Sequence, residues 1–182
     1  MKILLHICCG PCSIIPVQHL RREKFSVYGY FDNPNIHPYT EWLKRKEALE
    51  EYAAGIGLDV IYNNSYQMEA FFQSVVHRET QRCRYCYAMR MEQAGRVARK
   101  GKFDYFSTTL LISPYQNHQL IKETGEAAGE KFGVPFYYAD YRPHYRESVQ
   151  QSKERGMYRQ SYCGCLYSEK ERYCKDPLTI RK

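Results

Sequence analysis

Seven of the chain's eight cysteines fall into three groups far apart in sequence: Cys8-Cys9-Gly10-Pro11-Cys12, Cys83-Arg84-Tyr85-Cys86 and Cys163-Gly164-Cys165. Two thiolates one turn apart reach a single metal centre, so this spacing obliges a fold to gather the groups around metal or to oxidise them. Cys174 stands alone and needs no function. A chain of 182 residues removes roughly two-thirds of its unfolded surface from water on folding and needs no covalent staples. The start, Met1–Ile7, carries one lysine and a short apolar run interrupted by His6. A secretory signal has an apolar core of about 7–15 residues and a small-residue cleavage site. No stretch approaches the ~20 apolar residues of a membrane span. The chain is therefore expected in the cytoplasm, off the membrane, where thiols stay reduced and grouped cysteines bind metal or carry out redox chemistry.

A closed structural zinc site takes four ligands, fewer than the seven present. An iron–sulfur cluster takes up to four thiolates, and the remaining three suit a second iron nearby. Two other readings stay open. A zinc-dependent RNA-binding module would use the same groups structurally. A thioredoxin-like dithiol oxidoreductase would use Cys9 and Cys12 of Cys9-Gly10-Pro11-Cys12 on a strand-to-helix turn. Against the dithiol, Cys8 replaces the usual preceding tryptophan, the leading β-α unit is missing, and five cysteines would be left without a role.

Hydrophobic periodicity predicts strands at Lys2–Ile7, Phe25–Phe31, Leu58–Tyr62, Phe103–Phe106 and Val134–Tyr138. Helices are expected at about Ser13–Lys24, Tyr39–Ala54, Gln67–His77, Arg84–Lys100 and Tyr115–Phe132, with one or two more beyond. Alternation of this kind specifies an α/β fold, a parallel sheet with helices on both faces. Residues 1–182 read as one domain, and a helical part at about 140–182 completes the metal site. Ligands of such sheets bind beyond the carboxyl ends of the strands, at the switch in strand order. The loops at Cys8–Cys12, Asp32–Pro38 and Ser107–Asn117 are the candidates.

The balance of 27 Lys+Arg against 20 Asp+Glu leaves a net charge of +7. Basic residues cluster between Arg78 and Lys102, and Arg172, Lys175, Arg181 and Lys182 follow in the tail. Both fit a polyanionic partner, and the 18 tyrosines offer faces on which unpaired bases stack. Arg84 and Arg90, on the helix that follows Cys83, are the expected backbone contacts to RNA.

Five blocks taken in order resemble the cobalamin-independent epoxyqueuosine reductases. They are His6–Cys12, Phe31–Pro38 (Phe-Asp-Asn-Pro-Asn-Ile-His-Pro), Arg82–Tyr87, Ser107–Gln116 and Arg159–Cys165. The resemblance spans nearly the whole chain. It implies a Rossmann-like fold related to the HUP, adenine nucleotide alpha hydrolase-like, ATPases that modify tRNA. It also implies a [4Fe–4S] cluster with an adjacent mononuclear metal ion, expected to be iron. The implied reaction is reductive removal of the epoxide oxygen from epoxyqueuosine at the wobble position of tRNA, with electrons from an unidentified donor. The Ser-Gly-Gly-x-Asp-Ser phosphate loop of the related ATPases is replaced by Cys8–Cys12, so no ATP chemistry is expected. Family members can carry Asp at the position of Cys12. On this basis Cys9, Cys83, Cys86 and Cys163 are expected at the cluster, and Cys8, Cys12 and Cys165 at the second metal. Cys8 and Cys9 could trade places, as could Cys163 and Cys165. Tyr115, Tyr162 and His37 are the candidate proton donors. Asn33, Asn35, Thr109, Gln116, Arg159 and Gln160 are expected to position the base or its phosphates.

Overall fold

The computed structural model describes residues 1–174; residues 175–182, the end of the expected C-terminal part with the basic Lys175, Arg181 and Lys182, lie outside them. Four strands, β1 (Lys2–His6), β2 (Ser26–Phe31), β3 (Val60–Tyr62) and β4 (Tyr105–Thr108), form one parallel sheet in the order β3-β2-β1-β4. Ile3, Leu4 and Leu5 are all fully buried. A strand covered on both faces needs that unbroken apolar run in place of alternation.

Helices α1 (Gly10–Arg22) and α2 (Tyr39–Ile56) carry the chain from β1 to β2 and from β2 to β3. Helices α3 (Met68–Val75) and α4 (Arg82–Lys100) then return it to β4 on the other side of β1. One buried cluster gathers Ile3, Leu5, Trp42 and Leu49, and another gathers Leu4, Met91, Ala94 and Phe106, so the two faces of β1 pack against different helices. The strand order reverses between β1 and β4, and the loops Ile7–Cys9 and Thr109–Ile112 leave the sheet side by side at that point. A crevice of this kind is where open α/β sheets bind ligands. Helices α5 (His118–Phe132), α6 (Tyr145–Glu154) and α7 (Leu166–Tyr173) complete the described fold.

Three expectations about elements need correction. The segment Val134–Tyr138 is not a fifth strand; it makes one isolated bridge, Phe106 to Phe136. Pro135 has no N–H to donate, so the ladder stops after Phe106 N–H to the Pro135 carbonyl and Tyr137 N–H to the Phe106 carbonyl. Helix α1 starts at Gly10, ahead of Ser13, because Pro11 sits in the first turn, where a missing N–H costs nothing. Helix α5 starts at His118, not Tyr115, where the Asn117 side chain accepts from Leu120 N–H at 3.0 Å and caps it.

Candidate metal centre

Three chain segments bring the cysteines together at the carboxyl end of β1. The Sγ atoms of Cys8, Cys9 and Cys12 lie within 4.8 Å of one another. Cys83 and Cys86, on the first turns of α4, share a cavity of about 200 Å³ with Cys163 and Cys165. Cys8, Cys9, Cys12, Cys86 and Cys165 belong to one packed cluster with Phe71, Tyr87 and Leu111, so the two groups are neighbours. Cys9 thus sits with Cys8 and Cys12, and Cys165 with Cys83, Cys86 and Cys163.

The trio behaves as a shared-proton set. S–H donation from Cys12 and then Cys9 holds the Cys8 thiol well below its usual range, with Thr109 and Arg90 adding to the effect. Burial pushes Cys9 up, and the hydrogen bond to Cys8 does the same to Cys12. Burial also pushes Cys83 up and Cys86 up to about 12. A metal must displace these protons, so uptake is favoured by rising pH.

His6 locks β1 to its neighbours beneath the cysteines. Its Nε2 lies 3.3 Å from the Asp32 carbonyl, which can only accept, so Nε2 carries the proton. Nδ1 therefore accepts from the Thr108 hydroxyl at 2.9 Å, and that hydroxyl accepts in turn from Leu110 N–H at 3.2 Å. Burial, with Arg90 adding to it, lowers the His6 pKa to about 3. The unfolded chain takes up this proton near pH 6.5 and the folded one does not. The stabilisation is complete above about 6.5 and is lost as pH falls towards 3, at about 1.4 kcal/mol per pH unit. Chelator-treated protein unfolded with urea between pH 7.5 and 5 should lose stability faster than its His6→Asn variant; parallel slopes would refute this.

Residues 3–171 match the family model described as Epoxyqueuosine reductase QueH. The chain belongs to this family. Epoxyqueuosine reductase QueH of Dehalococcoides mccartyi is 41% identical over 174 residues, 96% of either chain. That of Thermotoga maritima is 36% identical over 189 residues, spanning 99% of this chain and 96% of its own. Among solved structures, the U34-tRNA thiolase NcsA from Methanococcus maripaludis with its [4Fe-4S] cluster superposes with a TM-score of 0.59 at 13% identity, covering 94% of this chain and 63% of that one. A predicted subunit of tRNA methyltransferase from Methanocaldococcus jannaschii gives 0.57 at 11% identity, covering 85% and 76%. These two likenesses show the fold.

Several residues expected to position the substrate hydrogen-bond to sulfur in this structure. Asn35 Nδ2 donates to Cys86 Sγ at 2.8 Å, Gln116 Nε2 to Cys163 Sγ at 3.2 Å, and Gln160 Nε2 to Cys12 Sγ at 3.4 Å. Thr109 Oγ1 accepts from Cys8 N–H at 3.2 Å and lies 3.5 Å from Cys8 Sγ. Asn33 is buried and donates to the Ile7 carbonyl at 2.9 Å, tying the β2 loop to β1. Arg159 is exposed at the rim of a small pocket beside Cys12.

The proton-donor candidates separate in the same way. The Tyr162 hydroxyl donates to the His37 carbonyl, and burial pushes its pKa up to about 12. The His37 ring is buried on Phe72, and burial lowers its pKa to about 4. Tyr115 is 82% exposed at the cavity. Arg84 is exposed and 3.8 Å from Glu123. Arg90, expected on the RNA surface, is 3% exposed and faces the cavity and not the outer surface, because the buried stripe of α4 carries it inward. Sequence reasoning missed Tyr87, whose hydroxyl donates to Gln116 Oε1 at 2.6 Å, and Arg45, which is buried beside Cys163. Arg45 is readable only as one more charge among the polar residues of α2.

Proposed function

We propose that this chain reduces epoxyqueuosine to queuosine in tRNA, in the cytoplasm, with residues 1–182 acting as one domain. The observation that carries the reading is the convergence of seven thiols from three distant segments: Cys83, Cys86, Cys163 and Cys165 line a cavity of about 200 Å³, and the Cys8–Cys9–Cys12 trio adjoins them in one packed cluster. The donor set fits iron and sulfide. Soft thiolates select such centres, and amide N–H groups already point at Cys86, Cys163 and Cys12 as they do towards bound cluster sulfurs. The names of its relatives support the same reading, as does NcsA, a fold neighbour solved with its [4Fe-4S] cluster.

Cys9, Cys83, Cys86 and Cys163 would hold a [4Fe–4S] cluster, and Cys8, Cys12 and Cys165 a second metal ion, iron. Arg45 faces both centres, since its field reaches Cys9 and Cys8 while its guanidinium holds the Cys163 carbonyl. When bound, the two centres supply electrons and a Lewis-acidic site for the epoxide oxygen. The reaction takes two electrons from a one-electron donor and two protons. Both C–O bonds break, a C=C bond forms, and the oxygen leaves as water. Tyr115 is the one candidate whose hydroxyl is exposed at the cavity without a protein acceptor, so it is placed to deliver a proton. Tyr162 instead fixes the loop.

Anaerobic purification with iron and sulfide analysis tests this. The wild type should carry about four sulfides with more than four irons, and should turn over epoxyqueuosine-tRNA when supplied with a reductant. Cys83→Ser with Cys86→Ser should abolish both sulfide and turnover, and Cys165→Ser should keep sulfide while losing one iron. Full iron retention without Cys83 and Cys86 would refute the scheme.

Arg78 and Arg84 are exposed around the start of α4, the helix that carries Cys83 and Cys86, and are the proposed phosphate contacts. Reversing both charges should weaken tRNA binding and reduce the slope of log K against log[salt] by about 2. An unchanged slope would place the RNA elsewhere.

A further inference from the structure

Arg90 is a buried cation without a carboxylate. Among the described residues, the ion pairs join Arg45, Lys46, Arg82, Arg84, Lys122, Lys131, Arg142 and His144 to acids, and none involves Arg90. A guanidinium taken out of water is costly unless something negative faces it. Burial keeps its neighbours His6 and His37 neutral. The groups left to balance Arg90 are the sulfurs, which become thiolates when they ligate metal, and the nearest of them by hydrogen bonding is Cys86, reached through Asn35.

One relay connects the charge to a named sulfur. Arg90 Nε–H donates to Asn35 Oδ1 at 2.9 Å, and Asn35 Nδ2 donates to Cys86 Sγ at 2.8 Å. A guanidinium only donates, so it fixes which end of the amide faces it and aims the amide N–H at the sulfur. Asn35 is itself 2% exposed, so both bonds lie largely out of bulk water.

We infer that Arg90 and Asn35 form a positioning pair that raises the reduction potential of the cluster held by Cys86. The inference rests on the reading above that Cys86 is a cluster ligand. Reduction adds one electron to an already anionic cage. A fixed cation and an N–H aimed at a ligand sulfur stabilise the reduced form more than the oxidised one, and burial strengthens both effects. The pair thereby brings the cluster within reach of a weaker one-electron donor.

The test is a dithionite titration with mediator dyes on anaerobically reconstituted full-length protein, following the absorbance near 400 nm and the EPR signal of the reduced cluster. Asn35→Ala should make one-electron reduction about tenfold less favourable, a potential about 59 mV lower. Arg90→Gln should lower it at least as far, and Arg90→Lys less than Arg90→Gln, since the charge survives. Iron and sulfide are counted on the same samples. A wild type without sulfide overturns the reading of the site itself. An Asn35→Ala protein with full iron and sulfide and the wild-type potential overturns the pair while leaving that reading intact. A variant that loses thermal stability at unchanged potential is equally fatal to the pair. Should Asn35→Ala take up no iron, Arg90→Gln decides by the same criterion.

Discussion

Arg45→Met is expected to cost about 3–5 kcal/mol and to release the Cys163–Cys165 segment from the metal centre. Arg45 is 1% exposed, and each face of its guanidinium is used. Nε meets Glu41 Oε1 at 2.6 Å, Nη1 donates to the Cys163 carbonyl at 2.8 Å, and Nη2 to the Tyr162 carbonyl at 2.9 Å. The other Glu41 oxygen accepts from the Tyr158 hydroxyl. Around this clamp the loop is bonded twice more, by Tyr162 to the His37 carbonyl and by His37 N–H to the Gly164 carbonyl at 2.8 Å. Methionine keeps much of the volume and none of the donors. It strands a carboxylate in the interior and leaves two carbonyls unsatisfied. Set against a total stability of about 5–15 kcal/mol, the loss is a large fraction. Urea unfolding should show it directly, and reconstituted protein should hold less iron. Adding Glu41→Leu should recover part of the loss, because no lone charge is then buried. A midpoint within about 1 kcal/mol of wild type with full iron would show that the clamp is not what holds the loop.

The cysteines announced themselves through spacing because ligation is a local property: Cys83 and Cys86 need only one turn of α4 between them. The sheet was legible for a similar reason, since a parallel strand buried on both faces must read as Ile3-Leu4-Leu5 in sequence. Val134–Tyr138 was misleading because aromatic and β-branched content signals burial, whereas pairing also needs donors, and Pro135 withholds one. The sulfur-directed amides were invisible in another way. Asn35, Gln116 and Gln160 carry no local signal for their targets, which lie 51, 47 and 148 residues distant. Polar residues clustered in matching blocks suggested contact with the base, and nothing in those blocks announced that three of them also meet sulfur. Arg90 looked like surface charge because its neighbours Arg78, Arg84, Arg96 and Arg99 are exposed; only the helical phase that buries Cys86, Tyr87 and Met91 carries it inward.

Gly10→Ala should destabilise the protein by about 1–3 kcal/mol and disrupt the Cys8–Cys9–Cys12 trio, although alanine is the better helix former by about 1 kcal/mol. Gly10 opens α1 directly after Cys9, whose extended backbone turns the chain into the helix. A Cβ there would stand 2.7 Å from the Ala48 carbonyl oxygen on α2 and 2.7 Å from the terminal methyl of Met157. The methionine can swing away at little cost. The carbonyl cannot, because it belongs to the backbone of a helix locked by Trp42 and Leu49 in the core. Either α2 withdraws or α1 does, and α1 takes with it three sulfurs that lie within 4.8 Å of one another. The glycine in Cys-Cys-Gly-Pro-Cys is therefore explained by the approach of two helices, without any need for dithiol chemistry. The double variant Gly10→Ala with Met157→Ala separates the two contacts. If the carbonyl decides, the double variant stays less stable than Met157→Ala alone and still takes up less metal. If the methionine decides, the double variant matches Met157→Ala and binds metal normally, and the close approach of α1 and α2 loses its claim on Gly10.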